Sequence, residues 1–206
     1  MRLSTRPTLT LRTVLLAGAL GLLLACSDDG TGPDGTTREP GQLNVVRVSP
    51  GAPAAAETEV TFWAVAGVSM DTALHLVNGK DYARFKLGSN SLLARPNGVP
   101  FLKGDSVEIT LRVVDPQQIL FELEPSGLKF NPADMAELRI RYEPAEDDFN
   151  HDGRQDENDE QIRQQLHIWR QEVVGQLFER LGTVRFDGEQ ELRAKLIGFS
   201  RYAVAY

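Results

Sequence analysis

The residues best placed to do specific chemistry lie in one acidic loop, residues 148–159. Calcium takes roughly six to eight oxygen ligands, and a twelve-residue loop supplies them from positions 1, 3, 5, 7, 9 and 12, with glycine at position 6 for the sharp turn. Gly153 stands at position 6, and the ligand positions hold Asp148, Asn150, Asp152, the backbone carbonyl of Arg154, Asp156 and Asp159. The spacing predicts one calcium ion with a structural role.

Charge supports the same interpretation. Nine carboxylates lie between residues 143 and 160, and Arg154 is the only lysine or arginine in that stretch. Like charges this close repel one another, so a compact loop is favoured when a cation is bound. The alternative is a solvated acidic loop without a ligand. A single exposed loop of this kind predicts weak binding, with a dissociation constant of roughly 10⁻⁴–10⁻³ M.

Two features distinguish this loop from a complete helix–loop–helix site. Its last ligand is Asp159 rather than glutamate, which resembles the loop of dockerin domains, and position 8 holds polar Gln155. Pro144 argues against a helix before the loop. We therefore predict an insertion at residues 143–165, in which the loop is followed by a short helix at about 158–165. Ile162 and Leu166, one turn apart, would anchor that helix on the domain.

Most of the remaining chain alternates between apolar and polar residues, which is the pattern of half-buried strands. Residues 106–114 are the clearest case, and turns rich in glycine, proline and asparagine separate the segments. The pattern predicts an all-β domain over 43–206, an antiparallel β-sandwich with one short helix. The predicted strands are Leu43–Val48, Glu59–Ala66, Tyr82–Leu87, Ser106–Val114, Ile119–Leu123, Glu137–Tyr142, Leu166–Trp169, Val184–Phe186, Glu191–Ile197 and Ser200–Tyr206.

The remaining chemical candidates are isolated. Trp63 and Trp169 could stack on sugars, but a sandwich of this size usually buries its tryptophans, so both are expected in the core. No two of the three histidines, His75, His151 and His167, have a metal-ligand spacing. His167 is expected to be solvated, on the strand face opposite Leu166 and Ile168.

Two blocks resemble the ZU5 type of β-sandwich, which occurs in ankyrins and netrin receptors and, in divergent form, in bacterial lipoproteins. The first block runs from Phe121 through Pro125-Ser126-Gly127-Leu128 to Tyr142, and the second covers 194–205 with Phe199-Ser200-Arg201-Tyr202-Ala203-Val204. The resemblance implies a fold and an interaction role. Some ZU5 domains resemble proteins that cut themselves before the serine of a His-Phe-Ser triplet. Here Gly198 replaces the histidine, so cleavage before Ser200 lacks its base.

The start of the chain resembles a bacterial lipoprotein signal. Three arginines and a short apolar run precede small Ala25, and Leu23-Leu24-Ala25-Cys26 is similar to a lipobox. The resemblance implies that residues 1–25 are removed and that Cys26, the only cysteine, carries the lipid. The alternative is a secreted protein that keeps one cysteine. Ser27 is not the aspartate of inner-membrane retention, which favours the outer membrane of the bacterial cell envelope.

Composition limits the possible partners. Residues 26–42 hold no apolar side chain larger than proline except Cys26, which predicts a flexible tether. Residues 1–25 contain three arginines and no acid, so the remaining chain has 19 basic and 29 acidic residues and a net charge of −10. Nucleic acid is thereby excluded as a partner. The sequence predicts a non-catalytic structural or interaction module, bound to the membrane through lipid, with an unknown protein or glycan partner. The alternative is a carbohydrate- or peptide-binding surface module.

Overall fold

The structure is a computed structural model that describes residues 33–206. The predicted signal segment 1–25 and the predicted lipid site Cys26 lie outside the described residues. No helix within 33–206 combines the length and the apolar character needed to cross a bilayer.

The described chain contains 14 strands, one α-helix and two short 3₁₀ helices at Pro40–Gln42 and Asp187–Glu189. The helix, α1, spans Glu157–Arg163. The strands are β1 Pro33–Arg38, β2 Glu59–Val65, β3 Met70–His75, β4 Asp81–Leu87, β5 Leu92–Ala94, β6 Ser106–Val113, β7 Leu120–Glu124, β8 Lys129–Phe130, β9 Ala136–Arg141, β10 His167–Gln171, β11 Phe178–Leu181, β12 Thr183–Phe186, β13 Glu191–Leu196 and β14 Arg201–Ala205.

Two antiparallel sheets form the sandwich. Sheet I has seven strands in the order β1-β11-β10-β14-β7-β6-β2, and sheet II has five in the order β12-β13-β9-β4-β3. A two-stranded ribbon, β5-β8, lies apart from both. All strand pairs are antiparallel. The predicted fold class, an all-β antiparallel sandwich with one short helix, is confirmed.

Alternating apolar residues of both sheets form the main core. Phe85 on sheet II is fully buried, and its ring lies 5.3 Å from that of Phe199 and 6.1 Å from that of Phe130. Tyr82 meets Phe121 of sheet I edge-on at 4.9 Å, an arrangement that aromatic pairs favour. The contact between Tyr82 and Phe121 joins the two sheets, and Phe85 ties sheet II to the ribbon and to the β13–β14 turn.

The two tryptophans have different environments. Trp169 is 3% exposed and belongs to a second, smaller core on sheet I with Leu43, Leu120 and Phe178, so its predicted burial is confirmed. Trp63 is 63% exposed, so its predicted burial is wrong. It lies on β2, at the free edge of sheet I, and its side chain points away from the core, since the neighbours Phe62 and Ala64 point inward.

The described part of the predicted tether differs from the prediction. Residues 33–38 form β1, which pairs antiparallel with β11 at the edge of sheet I. A strand can be added to a sheet edge through backbone hydrogen bonds alone, without apolar side chains. This is why a polar composition did not indicate it. Residues 43–48 are likewise held by isolated bridges, such as Val45 with Ala205, rather than by the predicted continuous strand.

Buried tyrosines make the fold sensitive to alkaline pH. Burial raises the pKa of Tyr82 and Tyr202 well above the ordinary value, and the Tyr202 hydroxyl donates to the Gly198 carbonyl at 2.5 Å. The stability that each protonated tyrosine gives the folded state is therefore complete below about pH 10. Above that pH it is lost by about 1.4 kcal/mol per pH unit for each tyrosine. We expect the free energy of unfolding of Tyr202→Phe to fall less steeply between pH 9 and 11 than that of the natural chain. Urea titrations at several pH values measure this slope. An unchanged slope would contradict this.

Candidate calcium loop

The loop lies between β9 and β10 and is entered without a helix, as predicted. After β9 a turn forms, in which the Ala145 amide donates to the Tyr142 carbonyl at 2.9 Å. The Glu146 amide then donates to the carbonyl of Arg47 at 3.0 Å. These bonds fix the start of the loop on the sandwich.

Asp148, at position 1, organises the first half of the loop. Its carboxylate accepts from the Asp152 amide at 3.2 Å and from the Gly153 amide at 2.8 Å. Gly153 has a φ of +84°, a conformation that costs glycine little and other residues more. The glycine at position 6 therefore makes the turn that the spacing required.

Asn150 and Asp152, at positions 3 and 5, lie beside Asp148. The Asn150 Oδ1 accepts from the same Asp152 amide at 2.9 Å, and Asp152 Oδ1 accepts from the Arg154 amide at 2.9 Å. The Asn150 Nδ2 also donates to Asp152 Oδ2 at 3.2 Å. The loop thus gathers the oxygens of its first three predicted ligands.

Asp156 and Asp159 form the start of α1. Asp156 is the N-cap, and its side chain accepts from the Asn158 amide at 2.8 Å. The Asp159 carboxylate accepts in return from the Asp156 amide at 3.0 Å, which completes a capping box. Negative side chains are also favoured at the start of a helix. The sequence placed this helix correctly to within two residues.

Asp159 also closes the loop. It is 2% exposed, and its Oδ1 accepts from the amides of Phe149 at 2.8 Å and Asn150 at 3.3 Å. The bond from the Asp156 amide is the largest cause that lowers the pKa of Asp159, and the bonds from Asn150 and Phe149 lower it further. The carboxylate therefore remains charged in the folded protein at neutral pH.

The loop is tied to the C-terminal end of the sandwich. Phe149 is buried, and its ring meets that of Tyr206 edge-on at 6.4 Å. The Tyr206 hydroxyl donates to the Phe149 carbonyl. Ile162 packs against the main core, as predicted. Leu166 is also buried, at 1% exposed, but α1 ends at Arg163, so Leu166 does not anchor the helix as predicted. Tyr206 was not anticipated, because a residue 57 positions away gives no local signal.

Cations from outside the loop weaken the argument from charge crowding. Arg163 contacts Asp147 at 2.9 Å and Glu160 at 3.4 Å, and Lys80 contacts Glu143 at 2.6 Å. No lysine or arginine of the described chain pairs with the predicted ligands Asp148, Asp152, Asp156 and Asp159. The four ligand carboxylates, together with Glu157 beside them, are therefore left without an ion-pair partner in the described chain.

The donor set fits calcium in type. All the side-chain atoms concerned are carboxylate or amide oxygens, which are the hard ligands that calcium prefers, and the oxygens of Asp148, Asn150 and Asp152 are adjacent. Within residues 33–206 no group of three or more His, Cys, Asp or Glu side chains is arranged as a metal site. The oxygens of Asp156 and Asp159, like those of the first three predicted ligands, accept hydrogen bonds from backbone amides.

The other candidates are dispersed. Ser200 is 3% exposed, and a side chain at Gly198 would meet the Leu128 carbonyl, 2.9 Å from its Cβ. This close approach explains why position 198 holds glycine. His75 faces Asp81 at 3.2 Å and His151 faces Glu146 at 3.5 Å. In the part of the chain that the structure describes, neither histidine forms an ion pair with a predicted calcium ligand.

The comparisons with known proteins add no relative. No family model, curated protein or solved structure matches this chain.

Proposed function

We propose that this chain is a lipid-anchored cell-envelope protein whose ZU5-like sandwich carries a structural calcium ion in residues 148–159. It acts as a non-catalytic structural or interaction module, attached through Cys26 and most compatible with the outer membrane. The observation that carries the calcium proposal is the winding of the loop around Asp148. Side chains at positions 1, 3 and 5 share one side of the loop, and glycine makes the turn at position 6.

Calcium would stabilise the domain through the contacts of the loop. The oxygens of Asp148, Asn150 and Asp152 repel one another less when a cation lies between them. The backbone next to Asp148 carries Phe149, which bonds to Tyr206 just after β14. Because β14 lies in the middle of sheet I, a more rigid loop would restrain a central strand.

Amide hydrogen exchange provides a local test of the calcium proposal. Adding calcium to chelator-treated protein should slow exchange at the amides of Asp152, Gly153 and Arg154, because calcium binds the folded loop and not the open one. Amides of the ribbon β5-β8 serve as the internal control. Equal exchange at the loop with and without calcium would contradict a calcium site there.

The anchor has a separate test. In cells, the natural chain should sediment with membranes and Cys26→Ser should not, because the acylated thiol would be lost and the apolar run is too short for a permanent span. Metabolic labelling with a fatty acid should mark only the natural chain. Labelling of both chains, or membrane retention of Cys26→Ser after salt washing, would contradict the lipoprotein assignment.

A further inference from the structure

The outer edge of β2 presents backbone groups that no described residue bonds. At the two ends of the β2–β6 ladder, the Val113 amide donates to the Thr58 carbonyl at 2.8 Å and the Ala66 amide donates to the Asp105 carbonyl at 2.8 Å. Hydrogen-bonded pairs alternate along an antiparallel ladder. Even-numbered residues of β2 therefore face β6, and Glu59, Thr61 and Trp63 direct their N–H and C=O groups outward. All three residues are exposed.

Apart from the charge of Glu59 at its first residue, this edge lacks the features that usually prevent strand addition. Edge strands are commonly protected by proline, lysine, a bulge or a covering segment. The β2 sequence is Glu-Val-Thr-Phe-Trp-Ala-Val, and its register with β6 is unbroken from Glu59↔Arg112 to Val65↔Ser106. The opposite edge of sheet I is extended by the chain's own β1.

Apolar side chains are left incompletely covered at the same edge. Val60, Phe62 and Met70 pack against the main core but remain partly exposed, because β2 and β3 are the edge strands of their two sheets. On the outer face Trp63 is 63% exposed. A strand added beside β2 would cover the partly exposed core residues on the inner face and the Trp63 indole on the outer face.

We propose that this edge binds a second copy of the chain, with the two β2 strands antiparallel and a two-fold axis at Thr61. This register uses each of the three outward-facing residues Glu59, Thr61 and Trp63 once, while the carbonyl of Val65 at the end of β2 already accepts from the Val68 amide. Thr61 meets its counterpart, and Glu59 meets Trp63 of the second copy, in both directions. Each hydrogen-bonded pair exchanges two backbone bonds, and the two seven-stranded sheets become continuous.

The charges of β2 are compatible with pairing to itself. A two-fold symmetric contact pairs a surface with an identical copy of itself, so the surface must be complementary to itself in charge. At this register Glu59 faces an indole rather than another glutamate, and Arg112 of its own chain lies opposite on β6. The four threonines Thr110, Thr61 and their counterparts form one uncharged row, and Thr61 Oγ1 already lies 3.0 Å from Thr110 Oγ1. No like charges are opposed across the axis.

Substitutions at the axis test the proposal. The experiment uses the chain from residue 27 onward, without the predicted lipid site. This chain retains every core residue that the structure describes, since these lie between 43 and 205. Sedimentation equilibrium should show a dimer, with or without a calcium chelator. Thr61→Lys and Thr61→Glu should each weaken association at least about tenfold, because like charges meet at the axis. An equimolar mixture of the two variants should restore it.

Val184→Lys is the matched control, because Val184 is 40% exposed on β12, the edge strand of sheet II. It should leave association unchanged. As a measurement without substitution, the Thr61 and Trp63 amides should exchange about fivefold more slowly at a total concentration about ten times the dissociation constant, where about four fifths of the chains are dimeric. A monomer at all concentrations, a dimer insensitive to Thr61→Lys, or failure of the mixture to associate would overturn the proposal. Chelator-dependent association would place the contact at the calcium loop instead.

Discussion

Replacing Phe85 by alanine is expected to reduce the free energy of unfolding by about 3–5 kcal/mol, the usual cost of deleting a buried aromatic ring. Phe85 is fully buried, and its ring contacts three others, those of Phe62, Phe130 and Phe199. The ribbon residue Phe130 and the β13–β14 turn residue Phe199 both depend on it. The cavity would therefore loosen several elements together. Urea unfolding monitored by circular dichroism measures the change.

Trp63→Ala is the control for this experiment. It removes an even larger aromatic side chain, but one that is 63% exposed, so the change should stay within about 0.5 kcal/mol at concentrations where the protein is monomeric. If the two substitutions were equally destabilising, the division between the core face and the outer face of the sandwich would be wrong.

Calcium is expected to produce the second large effect, a higher melting temperature. At a free calcium concentration about 100 times the dissociation constant, a single site adds about 2.7 kcal/mol to the stability of the folded chain. For a domain of this size, that corresponds to a rise of roughly 5–10 °C. Asp152→Ala should abolish the rise, because it removes the oxygens at position 5. Scanning calorimetry with and without a chelator measures it.

Glu157→Ala is the matched control for the calcium effect. Glu157 is an exposed carboxylate at position 10 of the loop, which supplies no ligand, and no ion pair of the described chain involves it. It removes the same charge from the same stretch. A calcium response lost equally in Glu157→Ala and Asp152→Ala would indicate general screening of negative charge rather than a defined site.

Local patterns predicted the middle of the sandwich well. Residues 106–113, 137–142 and 191–196 alternate between apolar and polar side chains, because each of these strands has one face toward the core and the other away from it. The counterparts of the predicted strands 106–114 and 191–197, β6 and β13, are one residue shorter at one end, and β9, predicted as 137–142, is shifted by one residue at both ends. The conformation of segment 148–159 was also predictable, because the hydrogen bonds that shape this loop come from its own side chains.

Edge strands, short strands and contacts between residues far apart in sequence could not be predicted from local sequence patterns. The strands β3, β5, β8 and β11 were missed. β3 is an edge strand, β5 and β8 form the short ribbon, and β11 is four residues long without alternating burial. β1 has no apolar alternation at all. Trp63 was assigned to the core because tryptophan is usually buried, but its position at the sheet edge depends on which strands pair. The contact between Phe149 and Tyr206 and the pairing of Arg163 with Asp147 likewise depend on the complete topology.

Calorimetric titration of calcium into the chelator-treated chain, at protein concentrations above the expected dissociation constant, is the most direct measurement of the calcium site. We expect one ion per chain with a dissociation constant of roughly 10⁻⁴–10⁻³ M, no binding in Asp152→Ala and unchanged binding in Glu157→Ala. The absence of heat at millimolar calcium, confirmed by the absence of any change in loop amide exchange, would contradict the site. Binding that survives Asp152→Ala would place the ion elsewhere.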